Sequence, residues 1–221
     1  MEMTKRDPLD PRNFVIVGGG AAGLNCAETL RQSGYAGKVT MITGEKVLPY
    51  DRTMLSKVLS DKPEPSFLRD EEFLKSADID IVKDKVYSIR TDMKKVALVR
   101  GKPMSYDKLL IATGGDPLKP EISGIDAKHV YLLRNHSDQE NIKKQAESVS
   151  KGIVIIGSGF VGSEMAAALK SKFKGKVEIH MVSREDYPLE LHLGKEIGEM
   201  LLNQHEESGV KVHMKNEVKE I

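Results

Sequence analysis

The sequence predicts an α/β fold: two Rossmann-like βαβ units with parallel sheets, plus a small antiparallel excursion from the main sheet, the second unit truncated. Three observations carry this reading. Phe14–Val17 is an apolar run that leads into Gly18-Gly19-Gly20-Ala21-Ala22-Gly23, after which apolar residues recur at helical spacing (Ala21, Leu24, Ala27, Leu30). The pattern returns about 140 residues later, close to the length of one domain. There Ile153–Ile156 leads into Gly157-Ser158-Gly159-Phe160-Val161-Gly162 and a second helical pattern (Val161, Met165, Ala168, Leu169). Between them YDKLLIATGGDPL, Tyr106–Leu118, reads as a strand stopped by small residues.

Each glycine in a G-x-G-x-x-G turn has its own task. Gly18 allows the turn, Gly20 lets a pyrophosphate approach the backbone, and Gly23 lets helix and strand pack closely, with the helix N-terminus meeting the phosphate charge. A lone motif of this kind is weak evidence, but two in one chain form a specific pattern of Rossmann-like units.

In chain order, strand Phe14–Val17 leads to helix Ala21–Gln32, and Ser33-Gly34 ends it. Lys38–Thr43 alternates as a second strand. A ribose-binding acid is expected where that strand ends. Gly44 sits there, and Glu45 is the candidate, displaced by one position; a solvated turn carboxylate is the equal alternative. Pro49 fixes a turn, and Thr53 is positioned to cap a short helix carrying Lys57. By composition alone, Arg52 and Lys57 are surface charges. Lys62–Ser66 reads as loop and Asp70–Ala77 as a short polar helix. Ile79–Val82, Val86–Arg90 and Lys95–Val99 read as the antiparallel excursion, and Lys108–Ala112 as a return to the main sheet.

Leu118–Asp126 reads as linker, Val130–Leu133 as a strand, and Ser137 or Asp138 as the cap of a polar helix reaching Val149. The second unit follows, with its helix to Phe173 and a strand over Lys176–Val182. Counted from the first glycine, Ser183 takes the register of Gly44, so no acid stands there; Arg184 comes next, then Glu185. An Arg at that strand end accommodates a ribose 2′-phosphate, so the pattern leans towards NADPH over NADH. Leu193–Glu206 has helical spacing, and Val210–Met214 and Val218–Ile221 are strand-like. The expected domains are 1–120 and 121–221, the second incomplete at its C-terminus.

Composition narrows the function. With 34 Lys and Arg against 33 Asp and Glu, no Trp and 5% aromatics, nothing points to a nucleic-acid partner. No apolar run approaches the roughly 20 residues of a membrane helix, and the opening MEMTKRDPLDPRN has no apolar signal region. The single cysteine, Cys26, fits an intracellular protein, cytoplasmic or mitochondrial. A CxxC pair is absent, which excludes dithiol redox chemistry, and no metal site is expected.

The segments GGGAAG, LPYDR-TMLSK, YDKLLIATGGDP, VYLLR, GSGFVGSE and LGKEIGEMLLNQHEESGVKV together resemble the FAD-dependent pyridine-nucleotide oxidoreductases, in particular the branch of apoptosis-inducing factor and putidaredoxin reductase. The resemblance covers about Asn13 to Ile221. It implies FAD and NAD(P)H as cofactors, and Gly18, Gly20, Ala22 and Gly23 as holders of the FAD pyrophosphate. It implies that Arg52 and Lys57 flank FAD, that Val86 meets the adenine through its backbone, and that Ala112, Thr113, Gly114 and Arg134 border the cofactor. In the second unit it implies Gly157, Gly159 and Gly162 as the nicotinamide-nucleotide loop, Phe160 beside the nicotinamide, and Glu164 near the hydride-transfer face. Lys57 and Glu164 are thus the catalytic candidates.

The expected activity is hydride transfer from NAD(P)H to flavin, with electrons passing to an acceptor such as a small iron–sulfur protein or a quinone. Two features depart from the family pattern. Thr53-Met54 replaces the usual pair after LPYDR, and the chain stops within the second domain, before the segments that complete the family's site. They leave an alternative: a nucleotide-binding or structural protein that keeps the fold without turnover. Oligomeric state is left open.

Overall fold

The computed structural model describes residues 3–59 and 66–221, so most of the expected Lys62–Ser66 loop lies outside the described residues. In chain order the first elements are β1 (Asn13–Val17), α1 (Ala21–Gln32), β2 (Lys38–Thr43), α2 (Met54–Lys57), α3 (Glu71–Ser76), β3 (Ile79–Lys83), β4 (Val86–Arg90), β5 (Lys95–Leu98), β6 (Met104–Ser105) and β7 (Lys108–Ile111). They are followed by α4 (His136–Ser148), β8 (Gly152–Ile156), α5 (Phe160–Phe173), β9 (Glu178–Val182), α6 (Glu190–Leu193), α7 (Lys195–Glu207) and β10 (Lys211–His213). The chain forms two compact units, Met1–Arg52 with Lys62–Asp116, and Thr53–Asp61 with Pro117–Ile221. The α2 segment thus belongs with the second unit, although it stands in the sequence among residues of the first.

The first unit has a parallel sheet ordered β3-β2-β1-β7. Its strands alternate faces. Ile16, Val39, Met41 and Ile79 join Leu24, Ala27 and Leu74 in one core, under α1 and α3. Val15, Val17 and Ile42 face the other way and pack on Val96 and Leu98 of the antiparallel β4-β5-β6 sheet. Ile79–Val82 therefore does not belong to the antiparallel excursion. It pairs parallel to β2, from Val39↔Ile79 to Thr43↔Lys83. The reason is α3, which acts as a crossover between β2 and β3 and returns the chain in the same direction. Asp70 caps α3 by accepting a hydrogen bond from the Phe73 amide, 2.7 Å.

Arg31 is fully buried at the end of α1. Its guanidinium donates to the carbonyls of Ala77, Tyr35, Gly37 and Asp78 at 2.7–2.9 Å. It ties the helix end to the turn that enters β3.

The second unit has a parallel sheet ordered β10-β9-β8. Met165, Ala166 and Leu169 of α5 pack on Ile179 and Met181 of β9, with Val177 and Val210. Five local expectations are corrected here. Val130–Leu133 forms no strand: Tyr131 is exposed, while Leu133 packs on the core without a ladder partner among the described residues. The cap of α4 is Asn135, whose side chain accepts from the Asp138 amide; Asp138 closes the capping box at the third helical position. The Leu193–Glu206 helix is divided at Gly194, whose φ of +83° no helical residue adopts. Val218–Ile221 makes only an isolated bridge, Ser123↔Glu220. Thr53 precedes α2 but makes no side-chain capping bond. No helix among the described residues is long and apolar enough to cross a membrane.

Candidate functional site

Both glycine loops follow one plan. The first glycine has positive φ, +128° at Gly18 and +104° at Gly157, a conformation side chains disfavour. The third packs on the first: a methyl group at Gly23 would collide with the Gly18 carbonyl oxygen, and one at Gly162 with that of Gly157. The middle glycine is different. Nothing lies within 4 Å of a methyl group placed at Gly20 or Gly159. These two residues are also the N-caps of α1 and α5, and neither makes a side-chain cap bond. Each loop therefore ends at an open helix N-terminus with backbone amides and a positive dipole end, which is a cradle for a pyrophosphate. The residues present fit that group twice.

Around the first loop, the end of β7 stands against the glycines. A methyl group at Gly18 would strike the Ala112 carbonyl, and the Ala112 amide donates to Val17 O at 2.7 Å. Thr113 and Gly114 follow, both exposed. Ala22 is exposed on the first turn of α1, and Val86 opens β4. Glu45, Tyr50 and Arg52 form a cluster: the Arg52 guanidinium donates to Glu45 Oε1 at 2.6 Å, and the Tyr50 hydroxyl donates to Glu45 Oε2 at 2.7 Å. Burial opposes the Arg52 charge, but its hydrogen bonds to Glu45 and Tyr50 outweigh this and raise its pKa. Arg52 is therefore not the surface charge that composition alone suggests.

In the second unit, α2 and α5 bring together the two residues proposed from the sequence for catalysis. Lys57 Nζ lies 3.7 Å from Glu164 Oε1, and the buried Ser56 hydroxyl donates to Glu164 Oε2 at 2.6 Å. Ser56 gave no sequence signal beyond its place in LSK. Gln139 of α4 holds α2 by donating to the carbonyls of Leu55 and Val58 at 2.7 and 2.8 Å. Glu164 and Phe160 lie on the wall of a cavity of about 700 Å³, with Ser163, Lys170 and His205. Phe160 is half exposed and meets His192 edge to face at 5.3 Å. The Arg134 amide donates to the Asp138 carboxylate at 2.9 Å, which fixes its backbone to the start of α4. No group of three or more His, Cys, Asp or Glu among the described residues is placed to hold a metal ion.

The sheet registers revise the comparison of the two strand ends. Val17, just before the first loop, pairs with Ile42; Ile156, just before the second, pairs with Val182. The first glycine amides repeat this, Gly18 donating to Ile42 O at 2.9 Å and Gly157 to Val182 O at 2.8 Å. Ser183 therefore corresponds to Thr43 and not to Gly44, Arg184 corresponds to Gly44, and Glu185 to Glu45. Counting residues from the glycines misses this by one place, because α5 has 14 residues where α1 has 12 and the turn from α5 to β9 is one residue shorter than the turn from α1 to β2. Arg184 turns to Glu217, 3.6 Å away, in an exposed pair.

Comparison with known proteins agrees with this geometry. Residues 12–221 match the family described as pyridine nucleotide-disulphide oxidoreductase. Apoptosis-inducing factor 3 of Homo sapiens is 36% identical over 210 residues, which are 95% of this chain and 34% of that protein. The ferredoxin–NAD(+) reductase component of the biphenyl dioxygenase system of Paraburkholderia xenovorans is 31% identical over 90% of this chain and 48% of its own length. Among solved structures, the ferredoxin reductase for the CYP199A2 system from Rhodopseudomonas palustris superposes with a TM-score of 0.86 at 29% identity, over 95% of this chain and 52% of that one. The chain thus spans a third to a half of the length of these relatives.

Proposed function

Because the chain belongs to the pyridine nucleotide-disulphide oxidoreductase family, we propose that it is the nucleotide-binding part of an FAD-dependent NAD(P)H oxidoreductase that delivers electrons to an acceptor such as a small iron–sulfur protein or a quinone. One observation supports this most directly: the same open glycine cradle is built twice, once at the start of each unit. We assign FAD to the first and NAD(P)H to the second. FAD when bound supplies the hydride-accepting and electron-passing chemistry. The protein supplies binding, orientation and charge.

Gly18, Gly20, Ala22 and Gly23 receive the FAD pyrophosphate, with Ala112, Thr113 and Gly114 along its path; Glu45, Arg52, Val86 and Arg134 are further contacts. Gly157, Gly159 and Gly162 receive the nicotinamide nucleotide. Glu164, fixed by Ser56 and Lys57, orients the nicotinamide beside Phe160. Lys57 brings a positive charge where negative charge develops on reduction. An intracellular setting, cytoplasmic or mitochondrial, agrees with a single unpaired cysteine.

The test is a visible absorption spectrum of the purified chain with FAD, followed by anaerobic titration with NADH and then NADPH. Bound flavin bands that bleach with either nucleotide are the expected result. Flavin that binds but is bleached by neither would favour a fold kept without turnover. A chain that takes up no flavin would remove the assignment of the first loop.

A further inference from the structure

We infer that Gln139 is a positioning residue for Lys57: it holds the α2 turn so that Lys57 and Ser56 meet Glu164. This rests on the reading of Lys57 and Glu164 as working groups of the flavin reaction and adds what sets the distance between them.

The starting point is the weakness of α2. It is four residues long, Met54–Lys57. A helix of one turn has too few internal hydrogen bonds to keep its shape in water. Thr53, at its N-cap, makes no side-chain capping bond. At the other end the Val58 amide closes on Met54 O at 3.1 Å, and the carbonyls that follow Met54 need partners from outside the helix. The Lys57–Glu164 pair does not supply the missing order. Lys57 is half-exposed, and its Nζ stands 3.7 Å from Glu164 Oε1, beyond hydrogen-bond length. An ion pair of that kind contributes little.

Gln139 does supply it. It is the fourth residue of α4, and its side chain is buried. Its Nε2 donates to Leu55 O at 2.7 Å and to Val58 O at 2.8 Å, using both hydrogens. Both partners are acceptors, so only the NH2 end of the amide can stand there. A carboxylate or a hydrocarbon of the same shape would leave both carbonyls without that donor. Leu55 and Val58 bracket Ser56 and Lys57, so one amide clamps the backbone on each side of the two residues that reach Glu164. From the α5 side, Glu164 Oε2 accepts from the Ser56 hydroxyl at 2.6 Å. Gln139 is itself fixed, because the Asn135–Asp138 capping box secures the start of α4. α2, α4 and α5 all belong to the second unit.

The test compares wild type with Gln139→Met, which keeps the shape and removes both donors, each shown folded by circular dichroism. The first readout needs no flavin. A water-soluble carbodiimide joins an amine to a carboxylate beside it, and peptide mass spectrometry quantifies the Lys57–Glu164 cross-link. Wild type is expected to form it, and Gln139→Met to form about fivefold less or lower still. No cross-link in wild type, or equal yields, would overturn the inference. The second readout is anaerobic stopped-flow bleaching of bound FAD by NADH. Gln139→Met should lower the limiting rate about fivefold or more, with the half-saturating NADH concentration within about twofold of wild type. In a Lys57→Met background the same substitution should change the limiting rate by less than about twofold, since a residue acting through Lys57 has nothing left to position. An equal loss in both backgrounds is what a merely structural role gives, and it would overturn the inference. If Lys57→Met and Glu164→Gln leave bleaching unaltered while the cross-link still depends on Gln139, the catalytic reading falls and the positioning stands. If Gln139→Met does not fold, wild type decides. Both Nε2 protons of Gln139 should exchange about tenfold or more slowly by NMR than those of the exposed Gln32 and Gln204, and equal exchange would overturn the inference.

Discussion

Glycines of the two cradles separate into those that serve packing and those that serve the ligand, and a pair of substitutions tells them apart. At Gly23 a methyl group would enter van der Waals contact with the Gly18 carbonyl oxygen by more than an ångström, and that oxygen belongs to backbone. No side chain can swing away, so α1 must lift from β1. Overpacking of this kind costs about 1–3 kcal/mol, and the backbone-on-backbone case lies at the upper end. Replacing glycine by alanine inside a helix returns about 1 kcal/mol, so Gly23→Ala should destabilise the chain by about 2 kcal/mol. At Gly20 the expectation is reversed. Its φ of −89° and ψ of −173° suit alanine, and the added methyl group meets nothing within 4 Å. As a helix N-cap, alanine is worse than glycine by less than about 1 kcal/mol. That empty space is the approach proposed for the pyrophosphate, so Gly20→Ala should weaken FAD binding by more than about tenfold, equivalent to 1.4 kcal/mol. Urea unfolding of the flavin-free chain gives the first quantity and flavin fluorescence quenching the second. If Gly20→Ala binds FAD as tightly as wild type, or if it unfolds as readily as Gly23→Ala, the division of labour among the glycines is wrong.

Arg31→Leu should destabilise the chain by about 4 kcal/mol or more, since it strips the donor from four carbonyls at roughly 1 kcal/mol or more each; urea unfolding measures it. Glu164→Gln keeps the shape and a partner for Ser56 but loses the charge facing Lys57. It should slow anaerobic flavin bleaching by NADH about tenfold or more with an unchanged urea midpoint, and an unchanged rate would remove Glu164 from hydride transfer. His205 is buried, and desolvation lowers its pKa from 6.5. The neutral ring is favoured in the folded state, so its contribution is complete above pH 6.5 and is lost as the pH falls below that value towards the folded pKa. Between pH 7.5 and 5.5 wild type should lose more stability than His205→Gln, as read from urea midpoints at each pH.

The parts of the fold legible in the sequence are those in which local pattern and tertiary role coincide. β1, α1 and β2 are marked by an apolar run, three glycines and a helical repeat, and α1 and β2 occupy the expected residues. The direction of β3 is not legible, because Ile79–Val82 has the composition of any short strand. Its direction depends on α3, a six-residue helix whose crossover role exists only once Leu74 and Ala77 are in the core. The same holds for Val130–Leu133. Its β-branched and apolar residues suit a strand, but no ladder forms there, and Leu133 is spent on the core instead.

The candidate site divides along the same line. The glycines are legible because each acts through its own backbone. The side chains are legible only as types, since their meaning lies in what the fold sets beside them. Arg52 reads as a solvated charge until Glu45 and Tyr50 surround it. Ser56 reads as nothing until α5 carries Glu164 to it. Glu185 is the sharpest case. Counting from the glycines leaves it two places beyond the expected acid, whereas counting along the ladder places it level with Glu45. A helix two residues longer, followed by a turn one residue shorter, is enough to shift the first count by one, but hydrogen-bonded register is preserved because a slip of one residue would turn Ile179 and Met181 out of the core. Register across the sheet, and not distance along the chain, is therefore the measure by which the two nucleotide sites are comparable. By that measure they share a strand-end carboxylate and differ in how it is held, by an arginine in the first and by two buried serines in the second.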